Sequence, residues 1–141
     1  MADSFKFELV SPERLLVSQD VTAVVVPGTD GEMTVMANHA PVMTTVQPGV
    51  VTVTAAEGGS ERYVVFGGFA DILPDSCTLL AESAVNVKDI DSASLDQRIR
   101  DAGEDVSDAK DDEARAKAQT YLDQLTTLKG ALAAKTNAAV A

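Results

Sequence analysis

The sequence has a single cysteine, Cys77, and a single histidine, His39, in 141 residues. One cysteine excludes an internal disulfide, and one histidine excludes the zinc and iron sites that use several histidines. We therefore expect a protein that holds no metal and suits a reducing cytosol.

Basic residues are also scarce. The chain has 11 lysines and arginines against 22 aspartates and glutamates, which gives a net charge of −11. This excess repels phosphate backbones and anionic lipid headgroups, and no Lys/Arg cluster offsets it. Nucleic acid and the membrane surface are therefore not expected as direct partners.

Long apolar runs are missing as well. No run approaches the roughly 20 residues that a membrane-spanning helix needs, and residues 1–7 lack the apolar core of a signal peptide. We therefore expect no insertion into a membrane. If the protein acts at a membrane, another protein holds it there.

What the sequence does contain is a series of short apolar runs rich in Val, Thr and Ile, separated by turn residues. Three of the five prolines and three of the nine glycines lie in residues 27–50, which indicates strands joined by sharply shaped loops. The pattern predicts a β-sandwich or flattened barrel of about ten short strands. These are residues 5–10, 15–18, 23–27, 32–36, 42–46, 50–55, 62–66, 69–73, 77–81 and 83–87.

Two positions within this series predict special backbone geometry. Pro27 is expected to end its strand, because proline removes a donor from the ladder. Gly67 and Gly68 interrupt a strand pattern, which indicates either a bulge or a backbone that passes too close for side chains.

After Lys88 the apolar period becomes helical. We predict an α+β protein with a β domain at 1–88 and a two-helix hairpin at 89–141. The apolar stripe of the first helix is Leu95, Ile99, Ala102, Val106 and Ala109, and that of the second is Ala114, Ala118, Tyr121, Leu125, Leu128 and Leu132. The N-cap of the first helix is left open between Asp91, Ser92 and Ser94. Because the stripes are narrow and alanine-rich, the hairpin is expected to open without unfolding the β domain.

The β-domain segments also resemble a known family when they are taken together. They are Gly31-Glu32, Asn38-His-Ala-Pro41, Gln47-Pro-Gly-Val50, Gly67-Gly-Phe69 with Leu73-Pro74, and Lys88-Asp-Ile-Asp91. In this order and spacing they resemble the epsilon subunits of bacterial F-type ATP synthases. The helical part is similar to the family in plan.

The resemblance implies a non-catalytic rotor subunit on the cytoplasmic face of the bacterial inner membrane. Its β domain would bind the gamma subunit and rest on the ring of c subunits. The implied c-ring-facing loop is Gly31, Glu32 and Met33, and the implied gamma-facing segment is Asn38, His39, Ala40, Pro41 and Val42.

Two departures from the family qualify these expectations. Asn38 stands where many members have Gly, and Asn also tolerates the left-handed region. Members that bind ATP have an arginine at the position of Ile99, and Arg98 or Arg100 would point about 100° away from it. The sequence therefore predicts no cofactor and argues against ATP binding.

In the family the hairpin can extend along gamma and block rotation through basic residues of the second helix. The resemblance thus implies contacts with the beta subunit, and with alpha beside it, for Arg115, Lys117 and Lys129. Lys135 is a further cation of this helix.

Several of these residues also have a simpler structural interpretation. His39 as a catalytic base is less favoured than His39 as a loop side chain that bonds a partner or its own backbone. Cys77 fits the core. Glu32 fits a solvated turn as well as an interface, and Arg115 and Lys117 fit a solvated helix face. The rival function is a nucleotide sensor that binds ATP between its helices and its sandwich.

Overall fold

The structure, a computed structural model, describes residues 3–29 and 31–140, with side chains as far as Leu132. The chain divides into two compact units, the first ending at Asp89 and the second beginning at Ile90. The strands are β1 Phe5–Val10, β2 Leu15–Gly28, β3 Gly31–Val35, β4 Val42–Ala55, β5 Ser60–Leu73, β6 Ser76–Ala81 and β7 Ala84–Asn86. A 3-10 turn, Val87–Asp89, precedes the helices α1 Ser92–Asp108 and α2 Asp112–Val140.

The first unit is a closed sheet. The strands pair in the order β1-β6-β5-β4-β2, and β2 pairs back to β1, so the ladder closes on itself. The β1–β6 pair is parallel and the other pairs are antiparallel. Strand β3 joins the ring through β2, and β7 joins it through β5. Closure removes most of the unpaired edge, and the predicted α+β class with a flattened sandwich or barrel is confirmed.

The described residues form seven strands rather than about ten short ones, because several predicted strands are continuous. The expectation that Pro27 ends its strand is wrong: β2 continues to Gly28, and Pro27 pairs with Glu32. The β2–β4 register shifts between Val25 and Gly28, and proline is tolerated at such irregularities. A Cβ added at Gly49 would lie 2.7 Å from the Pro27 Cβ, so glycine leaves room for the proline ring.

Gly68 lies where two backbones meet. Its φ is +147°, and an added Cβ would lie 2.0 Å from the Leu80 carbonyl oxygen of β6. The β4–β5 register runs through this position without a shift. Of the two predictions for the glycine pair, the close backbone approach is confirmed.

The core of the sandwich is apolar, and it includes Phe7, Leu9, Ile72 and Leu79 as its largest fully buried side chains. Cys77 lies in this cluster with no exposed surface, which confirms its prediction as a core residue. Burial, assisted by the charge of Asp71, raises the pKa of the Cys77 thiol from 9.0 to about 11.

The raised pKa of Cys77 predicts a loss of stability in alkali. The folded state holds the proton more tightly than the unfolded chain, so the stabilisation present below pH 9 is lost as the pH approaches 11. We expect the free energy of unfolding to fall by about 2 kcal/mol from this group. Urea denaturation across this range measures it. Cys77→Ala should lack this part of the loss, and identical pH slopes in the two proteins would contradict the prediction.

The second unit is the predicted two-helix hairpin. Asp91 is the N-cap of α1: its Oδ1 accepts from the Ala93 N–H, and its Oδ2 accepts from the Ser94 hydroxyl. The buried residues of its seam are Leu95 and Ala102 of α1 and Leu125 and Leu128 of α2. No helix in the described part of the chain is long and apolar enough to cross a membrane.

Candidate subunit interface

The loop between β3 and β4, residues 36–41, is held in shape by backbone hydrogen bonds. The Asn38 N–H donates to the Pro74 carbonyl in the β5–β6 turn at 2.7 Å, and the His39 N–H donates to the Met36 carbonyl at 3.2 Å. Asn38 has φ +66°, so it does occupy the left-handed region that asparagine tolerates. A backbone hydrogen bond therefore joins the loop to the β5–β6 turn at one end of the sandwich.

His39 forms a bond within its own loop. Its Nδ1 lies 2.8 Å from the Ala40 carbonyl oxygen, so Nδ1 carries a proton and donates. This confirms the simpler interpretation, a histidine that bonds its own backbone. Asn38, Ala40 and Pro41 are exposed, whereas Val42 is half-buried and packs against the core. The exposed part of the predicted gamma-facing segment is thus its first four residues, with His39 half-covered.

Three large apolar side chains surround this loop on the surface. Met36 lies in the loop, Met43 follows it on β4, and Leu73 precedes the Pro74 carbonyl that the loop bonds. Met43 is 69% exposed. Apolar side chains clustered this way on a surface are typical of protein contacts.

A second apolar feature crosses four strands of the outer face, and we call it the apolar row. It consists of Leu15, Val10, Leu80 and Phe69, each paired with the next across the ladders of β2, β1, β6 and β5. Phe69 is 54% exposed and Leu80 is 50% exposed. At about 4.8 Å between strands the row is roughly 15 Å long. Residues 69, 71 and 73 of β5 point to one face, because successive side chains of a strand alternate between its two faces. Met43 pairs with Asp71, so the row lies on the same face as Met43 and Leu73.

Sequence reasoning missed the apolar row, although one signal was present. Side chains alternate between the two faces of a strand, and Cys77 had been predicted to face the core. Leu79 shares that face and is buried, so Leu80 must point outward. Adjacent leucines in a strand with one buried face thus indicate an exposed apolar residue.

The predicted c-ring-facing residues lie at the other end of β3. Gly31 begins this strand and residues 36–41 follow its last residue, so five residues, roughly 15 Å, separate the two groups. Glu32 is exposed, whereas Met33 is half-buried and packs against the core. The structure therefore does not bring the two predicted surfaces together, and Glu32 is the accessible charged group of the first.

The cations of α2 whose side chains the structure describes pair with acids of the helical unit. Arg115 Nη1 lies 3.3 Å from Asp112 Oδ1, and Lys117 Nζ lies 3.7 Å from Glu113 Oε1. All four side chains are largely exposed, which agrees with a solvated helix face. The Lys135 side chain lies outside the described residues.

Lys129 pairs across the hairpin with Asp96 of α1, and the Nζ–Oδ1 distance is 2.5 Å. Asp96 lies three residues before Ile99, which is half-buried. Arg100 Nη2 donates to Gln97 Oε1 at 2.6 Å. Asp96 and Arg100 thus have partners of their own within the helices.

Comparison with known proteins agrees with this architecture. Residues 4–87 match the family model described as ATP synthase, Delta/Epsilon chain, beta-sandwich domain. The chain is 71% identical to the ATP synthase epsilon chain of Mesorhizobium japonicum over 94% of this chain and 98% of the relative. It is 61% identical to that of Chelativorans sp. over the same shares.

Solved structures share the fold. A chain in the OSCP/F1/c-ring assembly of the Euglena gracilis mitochondrial ATP synthase matches with a TM-score of 0.72 and 24% identity, over 92% of this chain and 81% of that one. A chain in the central stalk/c-ring assembly of the Tetrahymena thermophila enzyme matches with a TM-score of 0.59 and 10% identity, over 89% and 96%. Together with the sequence matches, these findings show that the chain belongs to the ATP synthase epsilon-chain family.

Proposed function

We propose that this chain is a non-catalytic central-stalk subunit that couples rotation of the c-ring to the gamma subunit in a proton-translocating ATP synthase. The observation that carries the proposal is a closed sandwich with a tied loop and exposed apolar side chains on one outer face. Family membership supports it, as do solved relatives that come from F1/c-ring and central stalk/c-ring assemblies. Torque passes through a part whose strands cannot slide, and a closed ladder resists sliding.

The proposed gamma-binding surface has two parts. The first is the loop segment Asn38–Val42, whose shape is held by the bond to Pro74. The second is the apolar row together with Met43 and Leu73. A centre of large apolar side chains beside a polar loop is the arrangement that stable protein interfaces use, because the centre excludes water and the rim sets orientation.

The proposed c-ring contact is Gly31, Glu32 and Met33. Glu32 presents an exposed carboxylate at the start of β3, at the far end of that strand from the gamma-binding loop. Gly31 has φ +123°, which other residues rarely adopt, so a side chain at this position would strain the start of β3. The subunit would then be peripheral, held at the cytoplasmic face of the bacterial inner membrane by the c-ring.

The hairpin is proposed to contact the beta subunit, and alpha beside it, when it opens. Arg115 and Lys117 are exposed enough to exchange their own-helix partners for acids of another chain. Lys129 would first have to leave Asp96. Exposed ion pairs of this kind contribute roughly 0.2–1 kcal/mol, so such an exchange costs little.

Charge reversal at Glu32 tests the coupling role. Glu32→Lys in the assembled enzyme is expected to weaken the c-ring contact by about fivefold, since rim charges contribute on the order of 1 kcal/mol. ATP synthesis driven by a proton gradient should fall, whereas ATP hydrolysis by the soluble sector should persist. The measurement is the ratio of the two rates in inverted membrane vesicles.

Glu57→Lys provides the matched control. Glu57 is an exposed acid in the β4–β5 turn, and its substitution changes the charge by the same amount. It should leave the ratio unchanged. Equal uncoupling by both variants, or by neither, would count against the role of Glu32.

A further inference from the structure

The last segment of the sandwich, residues 84–89, is held with little burial. Strand β7 pairs with β5 through three residue pairs, Tyr63–Asn86, Val64–Val85 and Val65–Ala84. None of its three residues is buried, and the 3-10 turn that follows has no buried residue. Strand β6, by contrast, buries Cys77, Leu79 and Ala81. Apolar burial therefore holds β6 but contributes little to the segment after it.

Polar contacts centred on Asn86 hold this segment instead. Its Nδ2 donates to Glu61 Oε2 at 3.0 Å, and its Oδ1 accepts from the Lys88 N–H at 2.9 Å. Its side chain also shares a hydrogen bond with Tyr63, whose pKa is raised by burial and by the charge of Glu61. Lys88 Nζ adds an ion pair at 3.9 Å to Glu61 Oε1. One side chain thus ties the strand, the turn and β5 together.

We propose that residues 84–89 form a releasable strap, with Asn86 as its fastener, that sets the length of the tether between the sandwich and the helical unit. When the strap is fastened, the free tether begins at Ile90, where the second unit starts. Release adds six residues, about 20 Å of extended chain, without opening the closed ladder of β1, β6, β5, β4 and β2. The reach of the helical unit is then controlled by a local opening of the sandwich edge.

Segments with few buried apolar contacts and solvent-accessible hydrogen bonds are those that open locally while the core stays closed. Only Ala84, at the start of the strap, packs against the core, so residues 85–89 meet this description. The strap also lies directly before the unit whose position it would control. Its contacts are mostly hydrogen bonds, so the loss of Asn86 removes several at once. The proposal does not depend on the identity of the partners.

Hydrogen exchange on the full chain tests the strap. In the unaltered protein, amides of residues 84–89 should exchange faster than those of β6. Asn86→Ala should speed exchange of 84–89 by about tenfold, since it removes two or more hydrogen bonds, and should leave β6 unchanged. Asn86→Asp should do the same, because it replaces the donor to Glu61 with a second carboxylate. Thr78→Ala on β6 is the control and should not affect the strap.

Two results would overturn the proposal. One is unchanged exchange of residues 84–89 in Asn86→Ala, which would mean that Asn86 is not the fastener. The other is equal acceleration of the strap and β6, which would mean that the segment opens only with the whole sandwich. Tether length has its own readout: spin labels at positions 52 and 127, in a Cys77→Ala background, should give a broader distance distribution in Asn86→Ala. An unchanged distribution would contradict the control of reach.

Discussion

Gly68→Ala is expected to lower the free energy of unfolding of the sandwich by at least about 3 kcal/mol. The new methyl group would lie 2.0 Å from the Leu80 carbonyl oxygen and 2.9 Å from the Ala81 Cα, both of which are backbone atoms of β6. Backbone cannot rotate away as a side chain can, so β5 and β6 must separate. The φ of +147° adds strain for any residue with a Cβ.

The measurement is chemical denaturation followed by tyrosine fluorescence. The chain has two tyrosines, so Tyr121→Phe leaves Tyr63 of β5 as the reporter of the sandwich. Gly59→Ala is the matched control: its φ is +84°, but an added Cβ meets no atom within 4 Å. It should lose only the roughly 1–2 kcal/mol of left-handed strain. Equal losses in the two variants would show that close approach is not what requires glycine at position 68.

The double variant Phe69→Ser, Leu80→Ser is expected to weaken binding of the full chain to the gamma subunit by at least about 100-fold. These residues are neighbours across the β5–β6 ladder and form the end of the apolar row nearest Met43. Central apolar contacts of an interface are often each worth about 2 kcal/mol or more, and two of them account for this loss. Both side chains are about half-exposed in the free chain, so its stability should fall by much less.

Isothermal titration with gamma measures this affinity, and thermal unfolding of the free variant checks its stability. The control is Val25→Ser, Val50→Ser, which removes two half-buried, outward-facing valines from segments of β2 and β4 that do not pair with β6. The control should bind gamma with unchanged affinity. Comparable losses in both double variants would indicate a general effect on the sandwich rather than a contact of the apolar row.

The fold was largely readable from the sequence because its determinants are local. Alternation placed Cys77 in the core, and the glycine pair at 67 and 68 indicated a bulge or a close approach of backbones, of which the structure shows the close approach. The change of period after Lys88 marked the hairpin. Strand lengths were not readable, because whether Pro27 ends a strand or sits at a register shift depends on β4. The local sequence around Pro27 does not show how β2 pairs with β4.

The candidate interface was readable only in part, for a related reason. The special conformation of Asn38 and the backbone bond of His39 follow from residue type and loop context. The apolar row depends instead on the registers of β1, β2, β5 and β6, which bring residues from four separate segments side by side. The sequence could not distinguish the three N-cap candidates of α1, because aspartate and serine are about equally favoured as N-caps. In the structure the N-cap is Asp91.

Hydroxyl-radical footprinting of the full chain, alone and bound to gamma, tests the central claim most directly. The claim is that the outer face of a rigid sandwich binds the gamma subunit. It predicts that oxidation of Met36, Met43 and Phe69 falls several-fold on binding, whereas oxidation of Met33, which packs against the core at the other end of β3, stays constant. Unchanged oxidation of the first three residues in a saturated complex, or protection confined to the helices, would contradict it.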